Sequence, residues 1–143
     1  MAPIDPVNDP ANQAVPAVSS WGVAGALLAA LATIAGAFGA HALKGSLTPV
    51  ALAAFETAVR YQFFHALALL VIAVLLERPR HAAVAGAAWA MLLGIVFFSG
   101  SLYLLTLTPM RWPGPFTPVG GLCFVIGWLA LAWGMWPRRA SGR

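Results

Sequence analysis

Four long runs without a charged side chain constrain this chain more than any other feature. From Trp21 to Leu43 there is no Asp, Glu, Lys or Arg. At 1.5 Å per helical residue that run spans a hydrocarbon core of about 30 Å. Lys44-Gly45-Ser46-Leu47-Thr48-Pro49 interrupts it, and the pair Thr48-Pro49 reads as a helix cap followed by proline at the first helical position. The helix that follows is expected to reach Glu77. Its first third is amphipathic, with Glu56, Thr57 and Arg60 set against Leu52, Phe55 and Val59, and its remainder is apolar. Glu77-Arg78-Pro79-Arg80 makes a charged turn before a third apolar run, and a proline-rich loop from Thr108 precedes a fourth, with Pro118 placed to open the last helix. Ser19 or Ser20 is placed to cap the first. The expected fold is all-α: a polytopic membrane protein, a compact bundle of four transmembrane helices with an amphipathic extension before the second. The spans fall at about 21–43, 56–76, 82–107 and 118–136, between a Pro-rich polar tail (1–20) and a short basic tail (137–143).

Composition excludes the competing classes. Apolar residues make up 61% and charged residues 8% of 143, whereas a soluble domain carries about 25% charge, and disorder needs low hydrophobicity. The net charge of +4 is no sign of nucleic-acid binding, because the basic residues form no helix face and sit at the edges of the apolar runs. Residues 1–20 have no Lys or Arg and four prolines, unlike a signal peptide or a mitochondrial presequence, so the first apolar run is expected to be retained. Cys123 stands alone in an apolar run and reads as a small hydrophobe. With both termini in the cytoplasm of a bacterium, Arg78, Arg80, Arg138, Arg139 and Arg143 lie inside, against Lys44, Arg60 and Arg111 outside. Trp21, Trp133 and Trp136 fit interfacial anchors.

In lipid, helices associate through close backbone packing and polar contacts, since the solvent is as apolar as the side chains. Ala32, Gly36, Gly39 and Ala40 in the first helix, Gly86, Ala90 and Gly94 in the third, and Gly120, Gly121 and Gly127 in the fourth are the expected packing positions, within one bundle or between copies. Polar groups inside a span are costly and call for an explanation. Glu56 and Arg60 share a helix face at the favoured spacing. Thr57, Tyr61 and His65 form a neighbouring stripe. A straight helix keeps His65 away from Glu56, so its partner must come from another helix, and His41 is one candidate. Ser99, Ser101 and Tyr103 make the end of the third helix polar. Phe97-Phe98-Ser99-Gly100 lacks the glycine that rhomboid-type proteases carry two residues before the nucleophile, and no phosphate-binding or dinucleotide-binding glycine motif is present.

Several stretches resemble one known family. Gly36-Ala37-Phe38-Gly39-Ala40-His41-Ala42-Leu43 is similar to the signature of the YgdD-like family, domain of unknown function 423, which includes the transmembrane protein 256 group. Phe55 to Leu67, Phe98 to Tyr103, Thr117 to Gly121 and Gly127-Trp128 follow in the family's order. The resemblance implies a small multi-spanning inner-membrane protein and assigns no reaction, catalytic residue or cofactor.

Three functions are then open. The first is an accessory or structural membrane component, in contact with the lipid bilayer and assembled as a homo-oligomer or within a larger complex; small size and the lack of a catalytic set favour it. The second is a proton-translocating, small-solute or ligand-binding protein with a polar pocket around Glu56, Arg60, Tyr61 and His65. The third is haem or metal binding through His41 and His65, which two histidines alone do not specify. No enzyme, no nucleic-acid partner, no metal and no resident cofactor is expected.

Overall fold

The computed structural model describes residues 19–77 and 82–136, and among these every regular element is helical. Helix α1 (Ser20–Phe38) widens into a π turn at Gly39–Leu43. Helix α2 (Pro49–Leu76) is continuous. Helix α3 (Ala82–Gly94) passes through a second π turn, Ile95–Ser99, into α4 (Gly100–Leu107), and α5 (Phe116–Met135) closes the series. With the π turns included, the described residues hold four helical stretches long and apolar enough to cross a membrane: Ser20–Leu43, Pro49–Leu76, Ala82–Leu107 and Phe116–Met135. The polar tail and the charged turn after Glu77, with Arg78 and Arg80, lie outside the described residues, as does the basic tail.

Local chemistry explains the ends. The Thr48 hydroxyl accepts from the Ala51 N–H at 3.2 Å, with Pro49 in the first turn, as the sequence leads one to expect. Ser19 occupies the corresponding place before α1, but its side chain makes no cap bond. Its carbonyl accepts from Gly22 and Val23 instead. Helix α5 opens at Phe116, ahead of Pro118. Pro118 still falls in the first turn, where its missing N–H forfeits no intrahelical bond. In the second π turn the Gly100 N–H reaches back to the Ile95 carbonyl, five residues earlier. One extra residue per turn shifts the phase of every side chain beyond it.

The helices form two antiparallel seams. Along the first, Gly120, Gly127 and Gly134 of α5 recur every seven residues and face Phe98, Met91 and Val84, which also recur every seven. A Cβ at Gly120 would collide with the backbone of Phe98, one at Gly134 would stand 2.6 Å from Val84 Cγ2, and Gly94 answers from the other helix by admitting the ring of Phe124. This is the seven-residue register of a left-handed supercoil, with glycine at each of the three contact positions of α5. Along the second seam a Cβ at Gly25 would stand 2.9 Å from the Ala66 carbonyl oxygen, one at Gly36 3.3 Å from Val59, and one at Gly39 2.9 Å from Phe55. Helix α2 lies between α1 on one side and α3, the second π turn and α4 on the other. The core joins Ala68, Leu69 and Ile72 of α2 to Val84, Ala87, Ala88, Met91 and Ile95, and to Phe124 and Leu131 of α5. The outer faces carry Leu27, Ile34, Val74, Leu122 and Leu129, the all-round apolarity of a helix solvated by lipid.

The expected small-residue positions divide between contacts inside the bundle and outward faces. Ala32 and Gly39 are buried and Gly36 faces Val59, but Ala40 is exposed. Gly94 and Ala90 face α5, whereas Gly86 has no neighbour within 4 Å of a Cβ; Gly121 barely meets Phe98, at 3.9 Å. A strict step of four turns a helix by about 40° each time. A seam between near-antiparallel helices therefore alternates steps of three and four, as Val84, Ala87, Met91 and Gly94 do.

Candidate functional site

The polar residues of the spans gather around the middle of α2. Gln62 is the centre. By the register of Gly36 on Val59, it stands near the midpoint of the Ser20–Leu43 span, where an unbonded amide costs most. Both of its ends are bonded. Its Nε2 donates to the Leu28 carbonyl of α1 at 2.9 Å, and its Oε1 accepts from the Tyr103 hydroxyl of α4 at 3.0 Å. One side chain thus ties three helices. Tyr103 is further held by Phe55, with ring centroids 5.2 Å apart.

His65 lies three residues on and faces the other neighbours. The Trp128 indole N–H of α5 donates to its Nε2 at 3.2 Å. An indole N–H only donates, so Nε2 must accept with its lone pair and the proton sits on Nδ1. Nδ1–H then donates to the Tyr61 carbonyl at 2.7 Å. The imidazole in this arrangement is neutral with both nitrogens engaged. Its ring lies flat on Phe124, centroids 3.4 Å apart. Tyr61 stacks on Phe98 at 4.6 Å and Phe98 meets Phe124 edge-on. These aromatic rings fill the layer that Gly94 and Gly120 open.

A third tie lies nearer the α4–α5 loop. The Ser101 hydroxyl donates to the Phe98 carbonyl at 2.9 Å and shares a 2.7 Å bond with the Thr117 hydroxyl in the first turn of α5. Ser99, fully buried in the second π turn, has no protein partner for its hydroxyl. Thr57 bonds back to the Ala53 carbonyl of its own helix at 2.8 Å.

The structure divides the residues that the sequence groups together. Glu56 and Arg60 face away from this layer and line an open groove of about 450 Å³ between α1 and α2. They form no ion pair with each other. Tyr61 and His65 are on the side of α5, so the four do not make one pocket. Nor do the histidines meet. His41 is exposed in the first π turn, at the end of the bundle that Phe55 reaches by pairing with Gly39. His65 is ten residues further along α2, about 15 Å, and its partner is Trp128. The described residues hold no group of three or more His, Cys, Asp or Glu placed to share a metal ion. Sequence reasoning passed over Gln62, Thr117 and Trp128. The signal for Gln62 was present, as an amide inside an otherwise apolar run.

Residues 35–121 match the model of a family described as a protein of unknown function, DUF423. The chain is 49% identical over 109 residues to a UPF0382 membrane protein of Staphylococcus epidermidis, covering 76% of this chain and 88% of that one. A UPF0382 membrane protein of Staphylococcus haemolyticus is 46% identical over the same shares. The UPF0382 membrane protein YwdK of Bacillus subtilis is 43% identical over 110 residues, 76% of this chain and 89% of YwdK. No solved structure matches the chain. The chain belongs to the DUF423 family and is a multi-pass membrane protein.

Proposed function

We propose that this DUF423-family chain is an accessory or structural component of a bacterial inner membrane, acting through helix packing and not through catalysis. One observation carries the reading: Gln62, His65, Tyr103 and Ser101 each bond across helices, to Leu28, Trp128, Gln62 and Thr117. In hydrocarbon such bonds hold helices in one arrangement, each contributing about 0.6 kcal/mol on average. A proton path or a substrate site needs groups free to exchange partners, and these are engaged with one another. A rigid bundle with a lipid-like exterior suits a scaffold that joins a larger assembly or its own copies. The excess of Arg on the side of residues 78–80 and 137–143 supports cytoplasmic termini.

The test is native mass spectrometry on the chain extracted gently from its own membrane, alongside flux measurements on the pure chain in proteoliposomes. The reading expects a second polypeptide or a whole multiple of the chain mass, and no proton leak above that of empty vesicles. A leak abolished by His65→Gln overturns it in favour of translocation. A single chain carrying bound haem or metal overturns it in favour of a cofactor protein. A reporter fused after Arg143 is expected to be active on the cytoplasmic side only.

A further inference from the structure

The groove between α1 and α2 combines glycine, aromatic and charged residues in its lining. Gly36 and Gly39 form its floor on α1, flanked by Thr33 and Ala37, and Phe63 and Phe64 wall it on α2. The register of Gly39 on Phe55 and Gly36 on Val59 fixes its depth. It begins about one turn below Leu43, where the Ser20–Leu43 span ends, and runs down from Gly39 to Ala32 for about 10 Å along the helix axis. Its upper end is therefore at the level where headgroups give way to acyl chains, and its lower end is in hydrocarbon. Its volume of about 450 Å³ is within the roughly 300–1,000 Å³ of small-molecule sites. Glu56 and Arg60 border it from α2. Both side chains are exposed, and the carboxylate and the guanidinium stand four residues apart without closing on each other.

From this geometry we infer that the groove is a binding site for one phosphatidylethanolamine molecule. Arg60 takes the phosphate: its planar guanidinium matches phosphate oxygens through two parallel N–H bonds, and its long stem lets the charge rise to headgroup level. Glu56 takes the primary ammonium, whose three N–H groups donate to a carboxylate. One acyl chain lies on the glycine floor between Ala37 and Phe64. A choline headgroup has no N–H to donate, and an anionic headgroup offers Glu56 no cation. The charge pair therefore distinguishes a zwitterionic amine lipid from both. Lining a groove at this depth with one charge of each sign repeats the order of charges in that headgroup.

The experiment places the full chain in nanodiscs with equal parts of phosphatidylethanolamine, phosphatidylcholine and phosphatidylglycerol of identical acyl chains, and counts the lipids retained by native mass spectrometry. One retained phosphatidylethanolamine is expected, favoured roughly fivefold over either competitor, the scale of one exposed charge pair. Glu56→Gln is expected to erase the preference over phosphatidylcholine while a lipid still binds. Arg60→Gln is expected to reduce retention of all three. Ala37→Trp fills the groove without entering the α1–α2 contact and is expected to remove the bound lipid, with an unchanged thermal melting curve showing that the bundle is intact. Retention without headgroup preference overturns the inference. So does retention unaffected by Ala37→Trp, and so does a dimer that Ala37→Trp dissociates, which would make the groove a contact between copies.

Discussion

The two seams of the bundle use glycine differently. Between α5 and the Ala82–Leu107 span, Gly120, Gly127 and Gly134 meet Phe98, Met91 and Val84 at a constant step of seven residues. Between α1 and α2, Gly25 touches the Ala66 carbonyl, but toward the other end the contact loosens. Gly36 and Gly39 there meet side chains, Val59 and Phe55, and a groove opens beside them. Gly120 and Gly25 meet backbone, while Gly127, Gly94, Gly36 and Gly39 meet side chains. The groove opens beside Gly36 and Gly39, where the α1–α2 contact is loosest. Polar residues divide the same way. Gln62 and His65 turn inward from α2 and are bonded, while Glu56 and Arg60 line the groove and are exposed.

The comparison breaks most visibly at Gly120. Gly120→Leu forces a side chain into the backbone of Phe98, which cannot yield as a side-chain tip can. Overpacking in a close-packed interior costs about 1–3 kcal/mol and more where backbone must shift. We expect the top of that range or loss of the fold, read as a collapse of the monomer peak and of the melting transition in detergent. Gly36→Leu, against the Val59 methyl at 3.3 Å, is expected to cost clearly less. If the two substitutions cost the same, the seams do not differ as described.

Gln62→Leu comes next. It removes the donor to Leu28 and leaves the Tyr103 hydroxyl without its acceptor, deleting two interhelical bonds in hydrocarbon. At about 0.6 kcal/mol each on average and 1.7 at most, the loss is expected to be about 1–3 kcal/mol, measured by unfolding in mixed detergent. Tyr103→Phe with Gln62→Leu is expected to cost less than the sum of the two alone, because they share one bond. Trp128→Phe is smaller again. It keeps an aromatic ring on a half-exposed site and removes only the donor to His65 Nε2, so about 0.5–1 kcal/mol is expected. An NMR shift of the His65 ring nitrogens in the same variant checks that the Nδ1–H tautomer depends on the indole.

Much of the fold was legible because lipid demands it. Four uncharged runs and the Thr48-Pro49 start follow from backbone saturation in hydrocarbon and from helix-end chemistry, which are properties of short windows of sequence. Glu56 and Arg60 on one face followed from helical spacing alone. The polar layer was less legible. Ionisable residues draw attention because charge in a membrane is costly, and Gln62, neutral and equally in need of partners, escaped notice. Trp128 stands in an apolar run, and nothing in its neighbours in sequence marks it as the donor to His65 Nε2. The π turn at Ile95–Ser99, which rephases Ser101 and Tyr103 toward Thr117 and Gln62, has no signature in its five residues. The seven-residue recurrence of Gly120, Gly127 and Gly134 was present in the sequence but hidden among 14 glycines.

The smallest expected effect is the most discriminating. Gly86 sits four residues before Ala90 and eight before Gly94, on what reads as one small-residue stripe, yet nothing stands within 4 Å of a Cβ built there. The seam leaves the stripe because each step of four drifts about 40°, so Gly86 has rotated out to the surface while Val84 and Ala87 take the contact. Gly86→Leu is therefore expected to change the stability of the isolated bundle by no more than about 0.5 kcal/mol, the usual range for a surface position. The same substitution at Gly94, where the Phe124 ring occupies the space, is expected to be severe. Melting curves of the two variants side by side test the register directly. Native mass spectrometry of the Gly86 variant then asks a separate question. If its monomer melts normally but a higher assembly disappears, the outward half of the stripe joins copies of the chain, and the three-four alternation that sealed the inner seam is also what leaves a second packing face free.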